Sequence, residues 1–139
     1  MKKLLIVVGS THDLPLLSES KKLLKKTHID FQVKVISCHR TLRLLVDELE
    51  PQKLKKENVG VIIAVAHSVA NLPAIIAGYL KESSIHVIGV GVPHTDVDKL
   101  ASLLSLLSIP SGIPLLTAGM GKVGLTNAAL SAIKILKSH

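Results

Sequence analysis

Short apolar runs alternate along this chain with longer stretches in which apolar residues recur every three or four positions. The first run, Leu4 to Val8, stops at Gly9, and a helical pattern follows from about Leu14 to Lys26. A short apolar run indicates a buried strand, whereas a period of about 3.6 residues indicates an amphipathic helix. The chain therefore opens with a predicted strand, a loop and a helix, and Asp13 is placed to cap that helix.

The same order of strand, loop and helix repeats to the end of the sequence. Four further strands are predicted at 31–36, 60–66, 85–90 and 115–118. Four further helices are predicted at 42–57, with an irregularity at Pro51, and at 72–81, 97–107 and 123–137. Regular alternation predicts the α/β class, with a right-handed, doubly wound parallel sheet covered by helices on both faces. We expect residues 1–139 to form a single domain.

The composition fits this architecture and argues against several others. Hydrophobic residues make up 47% of the chain and aromatic residues only 1%, so Leu, Ile, Val and Ala must build the core. Such residues suit parallel strands that are buried on both faces. No apolar run approaches the length of a membrane span, so we expect no membrane partner.

The formal charge of +7 is not taken to indicate a nucleic-acid partner. Most lysines fall in predicted helices, where a solvated face explains them, and almost no aromatic side chains are present to stack on bases. We therefore expect no nucleic acid to bind. The single cysteine, Cys38, excludes an internal disulfide and is typical of a reducing compartment, so the expected location is the cytoplasm.

The turn after the second strand carries several reactive side chains in succession. Residues 37–41, Ser-Cys-His-Arg-Thr, connect the strand to a helix that Thr41 can cap. His39 can transfer a proton near neutral pH because its unperturbed pKa is about 6.5, and the planar fork of Arg40 suits a phosphate or carboxylate. This pair predicts an enzyme that acts on an anionic substrate. A nucleophilic thiol at Cys38 is an alternative, although adjacent residues usually point apart.

Four of the seven histidines lie just beyond the carboxyl end of a predicted strand: His12, His39, His67 and His94. The carboxyl ends of parallel strands share one edge of the sheet, where ligands of such folds bind. Clustered imidazoles are also common metal ligands, so a metal-binding module is one open alternative. The spacings HxxxH and HxH are missing, however, and loops around a phosphate also gather polar residues. We therefore expect no metal and no cofactor.

Two glycine-bearing turns have different interpretations. Residues 9–13, Gly-Ser-Thr-His-Asp, follow a strand and open a helix, so their N–H groups and hydroxyls face the place where an anion would sit. They match neither a Walker loop nor a GxGxxG motif. Residues 119–124, Gly-Met-Gly-Lys-Val-Gly, are interpreted as a flexible connection into a C-terminal helix that packs on a neighbouring subunit.

Taken together, these motifs resemble the PurE family, the catalytic subunit of phosphoribosylaminoimidazole carboxylase. Residues 9–13 are similar to the family's G-S-x-S-D, residues 37–41 to its S-A-H-R-T, and residues 71–74 to its H-L-P-G. Residues 109–114, Ile-Pro-Ser-Gly-Ile-Pro, resemble its M-P-x-G-I-P. The segment from Gly121 to Leu130 resembles its G-K-x-G-x-x-N-A-A-L, so the resemblance spans nearly the whole chain.

The resemblance implies a flavodoxin-like three-layer sandwich and an isomerase of de novo purine synthesis that needs no cofactor. The enzyme would interconvert 5-(carboxyamino)imidazole ribonucleotide and 4-carboxy-5-aminoimidazole ribonucleotide through a trapped carbon dioxide, and His39 would move the proton. Ser10 and Arg40 would hold the 5′-phosphate and Asp13 the ribose hydroxyls. The full set of implied substrate contacts is Gly9, Ser10, His12, Asp13, Ser37, Arg40, His67, Ser68 and Asn71. The family also implies a homo-octamer with sites shared between subunits.

The departures from the family pattern all lie at the site. Three single positions differ: His12 stands for Ser, Cys38 for Ala and Leu42 for Pro. In the third loop, residues 65–74, His67 and Ser68 replace two glycines and Asn71 replaces a histidine. Filling the place of glycines narrows the space beside a ligand. An alternative therefore stays open, a diverged member that binds a related ribonucleotide, or uses free carbon dioxide as a carboxylase, with altered or absent mutase activity.

Overall fold

A five-stranded parallel sheet forms the centre of the molecule, which the computed structural model describes over residues 1–138. The strands are β1 (Lys3–Val8), β2 (Phe31–Val35), β3 (Val59–Ala66), β4 (His86–Gly91) and β5 (Leu116–Met120). Their order in the sheet is β2-β1-β3-β4-β5. The order reverses between β1 and β3, as in flavodoxin-like sheets, so the predicted doubly wound α/β fold is confirmed.

Residues 1–138 contain six α-helices, of which five lie between strands and the sixth follows β5. They are α1 (Ser18–Lys26), α2 (Leu42–Glu48), α3 (Pro51–Lys56), α4 (Asn71–Tyr79), α5 (Asp96–Leu107) and α6 (Gly121–Lys137). The predicted irregularity at Pro51 is a full break between α2 and α3. Pro51 occupies the first position of α3, where a backbone N–H would have no partner within the helix, so its absence costs no hydrogen bond. The Glu50 side chain caps the same helix by accepting a hydrogen bond from the Lys53 amide at 2.7 Å.

The sheet separates two apolar layers, because alternate residues of each strand face opposite sides. Leu5 and Val7 of β1 pack in one layer, together with Leu45 and Leu49 next to the α2–α3 break and Ile76 of α4. The other layer contains the alternate β1 residues and side chains of α1 and α6: Leu4, Ile6, Val8, Leu24, Leu125 and Ile133. All eight residues of β3 are buried, as a central parallel strand requires.

Helix α6 belongs to this second layer, and its predicted packing on a neighbouring subunit stays a prediction. Its apolar side consists of buried residues: Gly124, Leu125, Ala128, Ala129, Ala132, Ile133 and Leu136. Ser20 of α1 donates a hydrogen bond to the Leu125 carbonyl at 3.1 Å, which ties the two helices together. The apolar character of α6 is therefore explained by the chain's own core.

Two capping predictions are wrong. A 3₁₀ segment, Thr11–Leu17, precedes α1, and its N-cap is Ser10, whose hydroxyl accepts a hydrogen bond from the His12 amide, while Asp13 lies inside the segment and is fully buried. Thr41 does hold the N-cap position of α2, but its side chain makes no capping bond there. Its hydroxyl instead donates a hydrogen bond to the Ser37 carbonyl, which stabilises the turn before the helix.

An exposed apolar row runs along α5. Val97, Leu100, Leu104 and Leu107 are spaced by three or four residues, which places them on one side of the helix, and each is between 51% and 81% exposed. Leu106 and Ser102 lie on the opposite, buried side. No helix of the described residues is long and apolar enough to cross a membrane.

Candidate active site

A cavity of about 810 Å³ lies at the carboxyl ends of β1, β2 and β3. We call it the strand-end cavity. Val8 of β1 pairs with Val35 of β2 and with Val65 of β3, so the three strands end at the same height in the sheet. The loops that follow them therefore begin side by side. Its position is the reversal of strand order, where open α/β sheets bind ligands, and its volume suits a small molecule.

The first loop holds Ser10 and His12 at the cavity wall. The Ser10 hydroxyl lies 3.2 Å from both the His12 amide nitrogen and His12 Nδ1. Gly9 is fixed to the neighbouring strand, because its N–H donates to the Val65 carbonyl at 3.0 Å. The loop therefore presents a hydroxyl and an imidazole from a backbone that the sheet anchors.

Side chain to backbone bonds shape the second loop. The Thr41 hydroxyl donates to the Ser37 carbonyl at 2.9 Å and accepts from the Ser37 amide at 3.1 Å. The Ser37 hydroxyl in turn accepts from the Arg40 amide at 3.1 Å. These bonds close a turn in which His39 and Arg40 are exposed and line the strand-end cavity. An imidazole and a guanidinium group are thus held side by side.

Cys38 lies in the same turn but is buried. Burial raises the pKa of its thiol, and only a backbone hydrogen bond opposes this effect. A thiol that stays protonated is a poor nucleophile. The alternative of a nucleophilic Cys38 therefore loses its physical basis.

The third loop, residues 67–71, is anchored by α5. The buried Ser102 hydroxyl donates a short hydrogen bond to the Ser68 carbonyl. Ser68 has a φ of 52°, in the left-handed region that glycine adopts most readily. The loop ends at Asn71, whose side-chain nitrogen lies 3.4 Å from His39 Nε2, so this residue contacts the imidazole of the second loop.

Asp13, His67 and His94 form a separate cluster beside the strand-end cavity. Asp13 is 0% exposed, and neither of its carboxylate oxygens has a hydrogen-bond partner among residues 1–138. His67 Nδ1 lies 3.5 Å from Asp13 Oδ2, and the rings of His67 and His94 are 5.1 Å apart between centroids. Asp13 does not line the cavity, so its carboxylate is not presented to ribose hydroxyls there.

The structure brings together eight of the ten residues that the sequence placed in the site. Those that line the strand-end cavity are Gly9, Ser10, His12, Ser37, His39, Arg40, His67 and Ser68. Asn71 does not line the cavity, but its side chain contacts His39. Asp13 is buried and lies next to His67. Sequence analysis missed further lining residues, which lie in or next to the same loops: Thr11, Val35, Cys38, Thr41, Ala66, Val69 and Leu72.

The structure also shows where Arg43 and His94 lie relative to the cavity. Arg43 is the second residue of α2 and does not line the cavity, although it follows Arg40 closely in sequence. His94 was placed at the correct edge of the sheet but left out of the predicted site. The structure places His94 close to His67. The two residues are 27 positions apart in the chain, so no local sequence pattern could predict this contact.

These features define a class of protein. The chain is an open α/β protein whose small-molecule cavity, at the reversal of strand order, combines two exposed histidines, His12 and His39, one exposed arginine and serine hydroxyls. Such a cavity is suited to an anionic ligand and to proton transfer.

Comparison with known proteins identifies the family. The sequence model of the AIR carboxylase family matches residues 3–139, and the chain belongs to that family. It is 39% identical over 136 residues to the N5-carboxyaminoimidazole ribonucleotide mutase of Pyrococcus abyssi, covering 98% of this chain and 74% of that protein. It is 37% identical over 136 residues to the enzyme of the same name from Saccharolobus solfataricus, covering 98% and 82%.

The fold agrees with the family. The crystal structure of Treponema denticola PurE superposes with a TM-score of 0.78 at 22% sequence identity, covering 100% of this chain and 82% of that one. The resemblance inferred from the three loop motifs is therefore confirmed at the level of family and fold.

Proposed function

We propose that this chain is an N5-carboxyaminoimidazole ribonucleotide mutase, an isomerase of purine biosynthesis. The observation that carries the proposal is the convergence of the three motif loops on one cavity in which His39 and Arg40 are exposed side by side. The relatives at 37% and 39% identity bear the name of this enzyme. The reaction needs an anion-binding site, a fixed imidazole ring and one proton carrier, and this cavity offers groups suited to each task.

The chemistry requires one proton to move from a ring carbon to an amine. Protonated His39 donates a proton to the exocyclic nitrogen as the bond between that nitrogen and the carboxyl carbon breaks, which releases carbon dioxide and the free amine. The adjacent ring carbon then attacks the trapped carbon dioxide and forms a carbon–carbon bond. Neutral His39 removes the proton from that ring carbon, so the imidazole returns to its starting state and no cofactor is consumed.

Arg40 and Ser10 are proposed to hold the 5′-phosphate. Arg40 supplies a bidentate donor, and Ser10 lies across the cavity on the first loop. Ser37 and residues 67–71 would border the base and the carbon dioxide. Asn71, 3.4 Å from His39 Nε2, would hold the proton carrier in place when that nitrogen is unprotonated. The expected contact of Asp13 with the ribose hydroxyls is not part of this proposal, because Asp13 is buried.

Nucleotide binding tests the phosphate site. An aminoimidazole ribonucleotide should bind, and its nucleoside should bind far more weakly. Arg40→Ala should weaken nucleotide binding by about 1.5–3 kcal/mol, because a charge-assisted contact is lost. Arg43→Ala is the matched control, since it removes the same charge from a residue outside the cavity. Equal calorimetric affinity for nucleotide and nucleoside would remove the hypothesis.

We further propose that the chain works as a homo-octamer in the cytoplasm. The exposed apolar row on α5, rather than the buried side of α6, is the surface that supports self-association, since apolar rows of this length are rarely left open to water. A second copy of the chain is the proposed occupant, as closed symmetric assemblies bury the same patch on each subunit. The free, buried Cys38 supports a reducing compartment.

A further inference from the structure

The buried carboxylate of Asp13 is the starting observation. It is completely shielded from solvent, and neither oxygen is hydrogen bonded by another group among residues 1–138. A buried carboxylate without donors is unfavourable unless a cation approaches it. The nearest candidate, His67 Nδ1, lies 3.5 Å from Oδ2, which is longer than a charge-assisted hydrogen bond of about 2.7–2.9 Å.

A second imidazole completes a set of three possible ligands. One ligand atom each from Asp13, His67 and His94 lies within 4.8 Å of the other two. In a tetrahedral zinc site with bonds of about 2.0–2.1 Å, ligand atoms are about 3.3 Å apart. The pair formed by Asp13 and His67 is already near this separation at 3.5 Å. His67 and His94 are partly or largely exposed, so their side chains are free to close the remaining gap.

The three residues come from loops on adjacent strands. Asp13 follows β1, His67 follows β3 and His94 follows β4, which are consecutive in the sheet. The Ser102 hydroxyl fixes the His67 loop through the Ser68 carbonyl. The Asp13 carboxylate is held by complete burial. The cluster is thus built on the rigid edge of the sheet, with His67 facing the strand-end cavity.

We propose that Asp13, His67 and His94 bind a divalent transition-metal ion, for which Zn²⁺ is the best match. Two imidazole nitrogens and one carboxylate form a three-ligand set that leaves a fourth position for water or a substrate atom. Mg²⁺ and Ca²⁺ prefer oxygen ligands throughout and fit this set less well. The proposal departs from the expectation of no metal, which rested on local sequence spacing and could not detect ligands from three separate loops.

The metal site shares His67 with the wall of the strand-end cavity, but the proton of the proposed mutase reaction moves through His39, which is not one of the three ligands. Metal binding is therefore measured directly. Untagged protein is dialysed against EDTA, freed of chelator and equilibrated with Zn²⁺, and bound metal is counted by mass spectrometry. We expect one ion per chain. With Co²⁺ in place of Zn²⁺, we expect the intense visible absorption of a four-coordinate ion.

Substitutions assign the ligands without disturbing the buried carboxylate. His67→Gln and His94→Gln should each weaken Zn²⁺ binding by at least about 100-fold, since loss of even an outer contact costs 10–100-fold. His86→Gln is the matched control, because His86 begins β4 at the opposite edge of the sheet and is exposed. It should bind Zn²⁺ like the wild type. His39→Asn should also keep the metal, which separates this site from the proton carrier.

Two outcomes overturn the proposal. The first is wild-type protein that holds less than about a tenth of an ion per chain at micromolar free Zn²⁺, which leaves His67 as a neighbour of Asp13 without a metal. The second is stoichiometric binding that the His67 and His94 variants retain, which would place the ion elsewhere. Neither outcome bears on the mutase reaction, whose own assay runs in the presence of EDTA.

Discussion

Ser68 has a backbone conformation that glycine adopts more readily than serine. Sequence analysis placed Ser68 where the family has glycine and expected the new side chain to fill space. Its φ is 52°, in the left-handed region. The Ser102 hydroxyl donates a short hydrogen bond to the carbonyl of this residue.

The strain at Ser68 leads to a stability prediction. A non-glycine residue in the left-handed region costs roughly 1–2 kcal/mol, whereas glycine loses about 0.5–1 kcal/mol more chain entropy on folding. Ser68→Gly should therefore raise the free energy of unfolding by about 0.5–1 kcal/mol, measured by urea denaturation. Ser68→Ala keeps the strain and should change little. A glycine variant less stable than the alanine variant would show that Ser68 is not strained.

The sequence predicted which residues line the cavity better than it predicted their contacts. His39, Arg40 and Ser37 were found because reactive side chains directly follow an apolar strand. The burial of Asp13 and its approach to His67 could not be found, because they depend on how the loops of β1 and β3 pack. Asp13 looked like a helix cap in sequence, but the segment begins earlier, at Thr11, and Ser10 takes that place.

At the scale of elements, one ion-pair network joins the second strand to the broken helix that follows it. Glu48 at the end of α2 contacts Lys34 of β2 at 2.5 Å and Lys53 of α3 at 2.9 Å. Hydrogen bonds from Lys34 and then Lys53 lower the pKa of the Glu48 carboxyl to about 2. The network holds both sides of the Pro51 break against the edge strand of the sheet.

This lowered pKa predicts an acid-sensitive contribution to stability. The folded-state pKa lies below the ordinary value of 4.5, so the contribution is complete above about pH 4.5 and is lost as the pH falls toward 2. Because water screens a partly exposed network, we expect only about 0.5–1 kcal/mol. Glu48→Gln should lose this amount at pH 7 and match the wild type near pH 2, as measured by denaturation across that range.

The control for the Glu48 network is an exposed ion pair with a similar distance between nitrogen and oxygen. Glu19 and Lys22 of α1 are 3.0 Å apart, with about 70% of each side chain exposed. Glu19→Gln should change the free energy of unfolding little at either pH. If Glu48→Gln and Glu19→Gln have the same pH profile, the network at the Pro51 break has no special role.

The existence and type of the elements were predictable, whereas their ends were not. All five strands were found, because apolar runs that stop at Gly, Ser or His have few other interpretations. The 3₁₀ segment before α1 was missed, since Pro15 and the apolar residues around it also fit the start of an α-helix. Pro51 predicted an irregularity, and only the structure shows that it separates two helices.

At the scale of the whole molecule, alternation of strands and helices predicted a doubly wound sheet but not its strand order. The strand order decides which loops meet and therefore which residues form the site. Placing β1 between β2 and β3 brings the loops with His39 and His67 around the loop with Ser10. Placing β4 beside β3 brings His94 to His67, which no local pattern could indicate.

The assembly prediction belongs to this scale. If α5 carries the interface, light scattering should give eight times the mass of the chain at micromolar concentration. Leu104→Glu puts a charge into the apolar row and should dissociate the assembly. Lys99→Glu, on the same helix but at an already charged position, is the control and should leave the mass unchanged. A stable wild-type monomer would contradict the proposal.

We propose that this chain moves a carboxyl group between the amine and the ring carbon of an imidazole ribonucleotide through His39. The direct measurement is optical interconversion of the carbamate and the ring carboxylate by purified protein, with EDTA present and without ATP or biotin. We expect turnover by the wild type and by His86→Asn. His39→Asn should lose about 10²–10⁴-fold in turnover but should still bind nucleotide. Wild-type protein that binds the nucleotide but never interconverts the two compounds would contradict the proposed function.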